Sequence, residues 1–121
     1  MPFDGSELSS QLLLDLIAAR HYLDEHGWCK GTLSDGERRC LIGAIREVTG
    51  VLGLPKLKKI SPEYIRSKRA EQIVEHMIYR VSGHKSIFSF NDAPYQTYAN
   101  IRFVLDKTIK DVEERELDHA V

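Results

Sequence analysis

Residues 61 to 83 set the scale of what this chain can build. Ser61-Pro62-Glu63 is a helix start in three consecutive residues. The serine can cap the first free amides, proline suits the first helical position, and an acid in the first turn complements the helix dipole. Ile65, Ala70, Ile73, Val74, Met77, Ile78 and Val81 follow at helical spacing, and Gly83 supplies the stop. A helix of about 20 residues is roughly 30 Å long, the width of a small domain. The rest of a 121-residue chain must therefore lie alongside it.

Three more stretches repeat the pattern. From about Ser6 to His26, Leu12, Leu16, Ala19 and Leu23 form a stripe widened by Leu13 and Ile17, with Ser6 or Ser9 as cap and Gly27 as stop. From about Glu37 to Thr49 the apolar face is Cys40/Leu41, Ala44/Ile45 and Val48. Ser34 or Asp35 is the expected cap and Gly50 the end. A final helix capped by Thr97 carries Ile101, Val104/Leu105, Thr108/Ile109 and Val112, and is expected to fray near Asp118. Strand-type alternation is nearly absent. The expectation is an all-α fold with four main helices, antiparallel and bundle-like, and a long loop between helices 3 and 4. It forms one domain over residues 1–121 with its core at roughly 7–117. Gly43 in mid-helix costs about 1 kcal/mol against alanine, which predicts a close approach by a neighbouring backbone or ring.

Composition narrows the function classes. Hydrophobic residues at 42% and charged residues at 29% belong to a globular protein rather than a disordered one. A net charge of −1 gives no bulk attraction to nucleic acid or anionic membrane. No apolar run approaches the ~20 residues that span a bilayer. The acidic N-terminus lacks the basic region of a secretory signal. With two cysteines, this predicts a cytoplasmic protein with free thiols, a Cys29–Cys40 disulfide being the alternative.

Helix parity then nominates a site. If consecutive helices are antiparallel, the first and third connections share one end of the bundle. The Trp28 loop would there meet Ser86-Ile87-Phe88-Ser89-Phe90-Asn91-Asp92-Ala93-Pro94, which joins two aromatics needing burial to the turn chemistry of Asn, Asp and Pro. The candidate binding residues are Trp28, Cys40, Phe88, Phe90, Asn91 and Asp92. Asn91 and Asp92 also have a structural reading, the favoured one. Asn91 would satisfy loop amides, and Asp92 would cap a turn or pair with Arg38 or Arg39. The connector around Gly53 and Pro55 and the acidic tail would share the opposite end.

Gly27-Trp28-x-x-Gly31, Arg39-Cys40-x-x-Gly43-Ala44-Ile45 and Ser86-Ile87-x-x-Phe90-Asn91-Asp92-Ala93-Pro94, with Thr97 ahead of the last helix, resemble a family of small bacterial and phage proteins of unknown function. The likeness spans roughly residues 10 to 110. Phe90 stands where such proteins often carry Trp, and Asn100 where a glutamate would complete a capping box with Thr97. The resemblance implies a compact domain in a bacterial or phage setting and no particular reaction.

Spacing separates the competing chemistries. His26, Cys29, Cys40 and His84 are a zinc ligand set by type, but Cys40 has no near partner and suits an apolar helix face, so no metal or other cofactor is expected. Cys29 or Cys40 with His84 and Asp92 has the inventory of a thiol enzyme, and a helix N-terminus would lower the Cys40 thiol pKa if it were exposed. No local signature accompanies either cysteine. Lys56, Lys58, Lys59, Arg66, Lys68 and Arg69 could contact phosphates, but without an aromatic platform they read as a solvated face, disfavouring nucleic acid. A binding or regulatory module whose partner is another protein, rather than an enzyme, is the preferred reading, with a host-directed inhibitor as one concrete form. The extra apolar stripe of the third helix leaves homodimerisation open.

Overall fold

The computed structural model describes the backbone of residues 5–52 and 61–120, and the side chains of residues 11–52 and 61–117. It is predominantly α-helical. The helices are α1 (Gly5–His26), α2 (Leu41–Val48), α3 (Pro62–Ser82), α4 (Ile87–Asn91) and α5 (Tyr98–Ala120), and a two-stranded antiparallel ribbon, β1 (Ser34–Asp35) with β2 (Arg38–Arg39), precedes α2. The expected long loop between helices 3 and 4 thus holds a fifth helix. The expected fraying near Asp118 is not seen, and α5 runs on to Ala120.

All five helices contribute to one core. Leu16 and Leu23 of α1, Leu41 and Ile45 of α2, Ile78 of α3, Ile87 of α4, and Ile101 and Leu105 of α5 are fully buried. Pairs of side chains fix how the helices lie. Arg20 bonds Asp106 at 2.9 Å and Asp24 meets Arg102 at 3.0 Å, so α1 and α5 run antiparallel. The buried Asp15 carboxylate accepts from Arg66 at 2.6 Å and ties α1 to α3. Arg46 and Ser67 converge on Glu71 at 3.1 and 2.7 Å, which ties α2 to α3.

Helix ends follow the sequence closely at α3. Ser61 accepts from the Tyr64 amide at 3.2 Å, Pro62 is the first helical residue, and Gly83 closes the helix in the left-handed region. Thr97 accepts from the Asn100 amide at 3.4 Å at the start of α5. Two expectations are corrected. α1 begins at Gly5, so Ser6 and Ser9 lie inside it. α2 begins at Leu41, not Glu37, because Glu37 belongs to the ribbon turn. Gly36, at φ 62°, takes the first central position of that turn, where type II′ hairpins favour glycine. Cys40 rather than Ser34 or Asp35 caps α2, its sulfur accepting from the Gly43 amide at 3.3 Å. Gly43 does mark a close approach. A β-carbon there would sit 2.3 Å from the Leu33 carbonyl oxygen, which leaves room only for hydrogen.

Gly53, Pro55, Lys56, Lys58 and Lys59 lie outside the described residues, as do residues 1–4, and with them the end that connector and tail are expected to share. Within the described part of that basic segment, Arg66 pairs with Asp15, not with the tail.

Candidate functional site

The first and third connections meet as parity requires. The Trp28 indole N–H donates to Asn91 Oδ1 at 2.7 Å, joining segments 63 residues apart. The same oxygen accepts from the Leu41 amide at 3.0 Å, and Asn91 Nδ2 donates to the Cys29 carbonyl at 3.2 Å and to Asp92 Oδ1 at 2.8 Å. An asparagine amide has two donors and two acceptor lone pairs. All four are used. Asn91 is 1% exposed, so it bonds one loop to the other and also satisfies the first free amide of α2, a group that helix geometry leaves without an internal partner.

Around this bolt the two loops are stitched further. Asp92 accepts from the Gly31 amide at 2.9 Å, and Lys30 donates to the carbonyls of Ala93 at 3.0 Å and Pro94 at 3.3 Å. Arg38 instead pairs with Asp35 and Arg39 with Glu47, so the expected Asp92–arginine pair is replaced by a loop amide. The Gln96 amide donates to the Phe90 carbonyl at 2.7 Å and holds the far side of α4. The Trp28 ring stacks on Tyr98 with centroids 6.5 Å apart, and Lys30 Nζ lies 5.9 Å over it.

The nominated residues divide by depth. Cys40, Phe90 and Asn91 are buried beneath the surface and cannot touch a partner directly. Trp28 is half-buried, while Phe88 and Asp92 are exposed. The reason is the α4 turn that Ser86 caps by accepting from the Ser89 amide at 3.0 Å. Helical spacing sends Ile87, Phe90 and Asn91 inward and Phe88 and Ser89 outward.

Both cysteines are free and buried. Burial pushes each thiol above its ordinary 9.0, more than the amides at the α2 N-terminus pull Cys40 down. The condition for an activated thiolate, exposure, is not met at Cys40. His84 is directed elsewhere as well. Its Nδ1 meets Ser89 Oγ at 3.1 Å and its Nε2 meets the Tyr95 hydroxyl at 2.6 Å, with its ring edge against Phe90. His26 lies against Tyr22 and faces Glu37 at 3.6 Å. Among the described residues no three His, Cys, Asp or Glu side chains converge in a metal-binding arrangement, and no helix is long and apolar enough to cross a membrane.

Tyr95 was not singled out from the sequence, yet it is 61% exposed, against 47% for Phe88. It follows the Asn-Asp-Ala-Pro turn, and a bulky ring directly after turn chemistry was the signal available. Lys30, which bonds the second loop, has no signal in the sequence beyond its place in the Trp28 loop.

The model of a family of unknown function, DUF6197, matches residues 10–111, a span that contains every residue of the loop junction. No curated protein and no solved structure matches the chain.

Proposed function

Since the chain belongs to DUF6197, a family of unknown function, no activity carries over from relatives, and we propose from its own geometry that it is a protein-interaction module. Its working surface is the loop end around Trp28 and Phe88–Asp92. Phe88, Asp92 and Tyr95 make contact there, the edge of Trp28 borders them, and Cys40, Phe90 and Asn91 hold the frame from below.

The supporting observation is a contrast in one small region. Asn91 uses its whole hydrogen-bonding capacity to lock two loops together, while Phe88 and Tyr95 on that frame remain largely in solvent. Aromatic rings held rigidly at a surface lose little freedom on binding, and aromatics dominate the energetics of protein contacts. A cytoplasmic setting goes with this reading, since two free thiols suit a reducing compartment. A phage or mobile-element origin rests on the motif resemblance alone.

The test is affinity capture from a lysate of the native host with the parent chain and the Phe88→Ala/Tyr95→Ala double variant. A protein retained by the parent and lost by the variant is expected, and once purified it should bind the parent directly. The variant's unfolding free energy should stay within about 1 kcal/mol of the parent's, as for exposed sites. Equal capture by both chains would refute the assignment of the site.

A further inference from the structure

The backbone brings the two cysteines into register. The Arg39 amide donates to the Gly27 carbonyl at 3.2 Å and the Cys29 amide to the Arg39 carbonyl at 3.0 Å, the bond pattern of a parallel bridge between Trp28 and Arg39. One step further along both segments stand Cys29 and Cys40. Side chains alternate across extended backbone. Trp28 and Arg39, both half-buried, take one face, and the two thiols share the other, where both are buried. Paired strands lie about 4.8 Å apart, within the roughly 4.4–6.8 Å between α-carbons that a disulfide spans. The surroundings agree. Cys29 Sγ lies 3.6 Å from the Thr32 carbonyl oxygen, and the next carbonyl, that of Leu33, accepts from the Cys40 amide at 3.2 Å. Burial first, and the neighbouring Cys40 next, raise the Cys29 thiol above its ordinary value. The bond that would continue the bridge, from the Leu41 amide to the Cys29 carbonyl, is the one Asn91 interrupts. Its Oδ1 takes the amide and its Nδ2 the carbonyl. The cysteine pair therefore lies between a closed bridge and the side-chain amide on which the loop junction is built.

We propose that Cys29 and Cys40 are a reversible dithiol–disulfide site, closed by a small disulfide of the glutathione type, and that closure pins the Trp28 loop to the start of α2 beneath the junction. The site stands independently of the protein-interaction reading. Cys29 is the less deeply buried thiol, at 7% against 2% for Cys40, and lies under the exposed turn Lys30–Thr32. It gives up its proton and attacks one sulfur of the small disulfide. That S–S bond breaks, and one small thiolate leaves and takes up the proton. The Cys40 thiolate then attacks Cys29 Sγ, the Cys29–Cys40 bond forms, and the second small thiolate leaves and is protonated by the proton Cys40 released. The two protein thiols lose two electrons, and the small disulfide gains them. Burial raises both thiols and slows these steps at neutral pH. Register acts on the equilibrium instead, by holding one sulfur at high effective concentration beside the other. In a reducing compartment the pair stands open. Folding that favours the bond is favoured by it to the same factor, because the four states form a closed cycle.

The test equilibrates the full chain with mixtures of reduced and oxidised glutathione, with and without concentrated urea. Equilibrium is approached from both sides, from the reduced chain and from chain oxidised in urea and then refolded. Acid-quenched samples are read by intact mass and peptide mapping. A species lighter by two hydrogens, with the Cys29 and Cys40 peptides joined, is expected. Its equilibrium constant should be roughly tenfold or more greater without urea than with it, and the oxidised chain should unfold at higher urea than the reduced one. Cys40→Ser, in which serine keeps an oxygen to cap α2, should instead accumulate glutathione on Cys29. Absence of that adduct would overturn Cys29 as the first attacker. An equilibrium constant no greater than that in urea would overturn the pairing. So would an oxidised chain that fails to refold, or a parent chain that collects glutathione adducts or linked dimers in place of the internal bond.

Discussion

Asn91 is the residue on which most else at the loop end depends. Replacing it with alanine leaves the Trp28 indole N–H, the Leu41 amide and the Cys29 carbonyl without their shared partner. Each buried polar group left unmatched costs about 1–3 kcal/mol. Asn91→Ala should therefore lower the unfolding free energy by roughly 3 kcal/mol or more, measured by urea denaturation. Asp92→Ala removes two bonds, the exposed one from the Gly31 amide and the part-buried one from Asn91 Nδ2, and should cost about 1–2 kcal/mol. If the two losses were equal, the four-bond account of Asn91 would not stand. The thiols give a second prediction at this scale. Cys29 and Cys40 are raised above 9.0 by burial, and Tyr98 is raised above 10.0 by burial and by its bond to the Asp24 carboxylate. Above about pH 9 the unfolded chain sheds protons that the folded one keeps, so stability is full below that pH and declines above it. A melting temperature that falls between pH 8 and roughly pH 10.5, with a shallower slope in Cys40→Ala, is the expected result. Alkylation of both thiols by iodoacetamide at neutral pH should be slower than that of a free model thiol.

At the scale of elements, the short helix α2 shows what could and could not be read from the sequence. Gly43 was legible as a close approach because glycine in mid-helix is otherwise a cost, and the Leu33 carbonyl is the neighbour. Gly43→Ala should destabilise by about 2 kcal/mol or more despite the better helix propensity of alanine, because overpacking outweighs it. Thermal unfolding measures this, and a stabilised variant would contradict the contact. The start of α2 was not legible. Its cap is a cysteine, which is outside the usual capping set, and a second amide is satisfied by Asn91 from 50 residues away. α4 was missed for a related reason. Five residues are too few to show a period, and the Asn-Asp-Ala-Pro run carries turn chemistry that masks the helix preceding it. The long helices α1, α3 and α5 were readable because their stripes repeat over several turns. The meeting of the two loops followed from parity alone, but which of their residues face inward depended on the unseen α4.

For the whole molecule, the loop junction has a consequence for how the chain unfolds. Trp28 is the only tryptophan, it stacks on Tyr98 of α5, and its indole bonds Asn91 at the end of α4, which in turn bonds the first residue of α2. Its fluorescence therefore reports on contacts among three helices, whereas circular dichroism at 222 nm is dominated by α1, α3 and α5. The core draws on all five helices, so loss of the junction would expose Ile87 and Phe90 and remove apolar burial from α2 and α3 together. Junction and bundle should open in one step, with fluorescence and dichroism transitions coinciding in urea. In Asn91→Ala the coupling between loops is weakened while the α1–α5 pairs Arg20–Asp106 and Asp24–Arg102 are untouched. The fluorescence transition should then precede the dichroism transition. If the parent chain already shows the two transitions apart, the loop end is a separately opening unit. The exposed rings would then have no rigid frame beneath them.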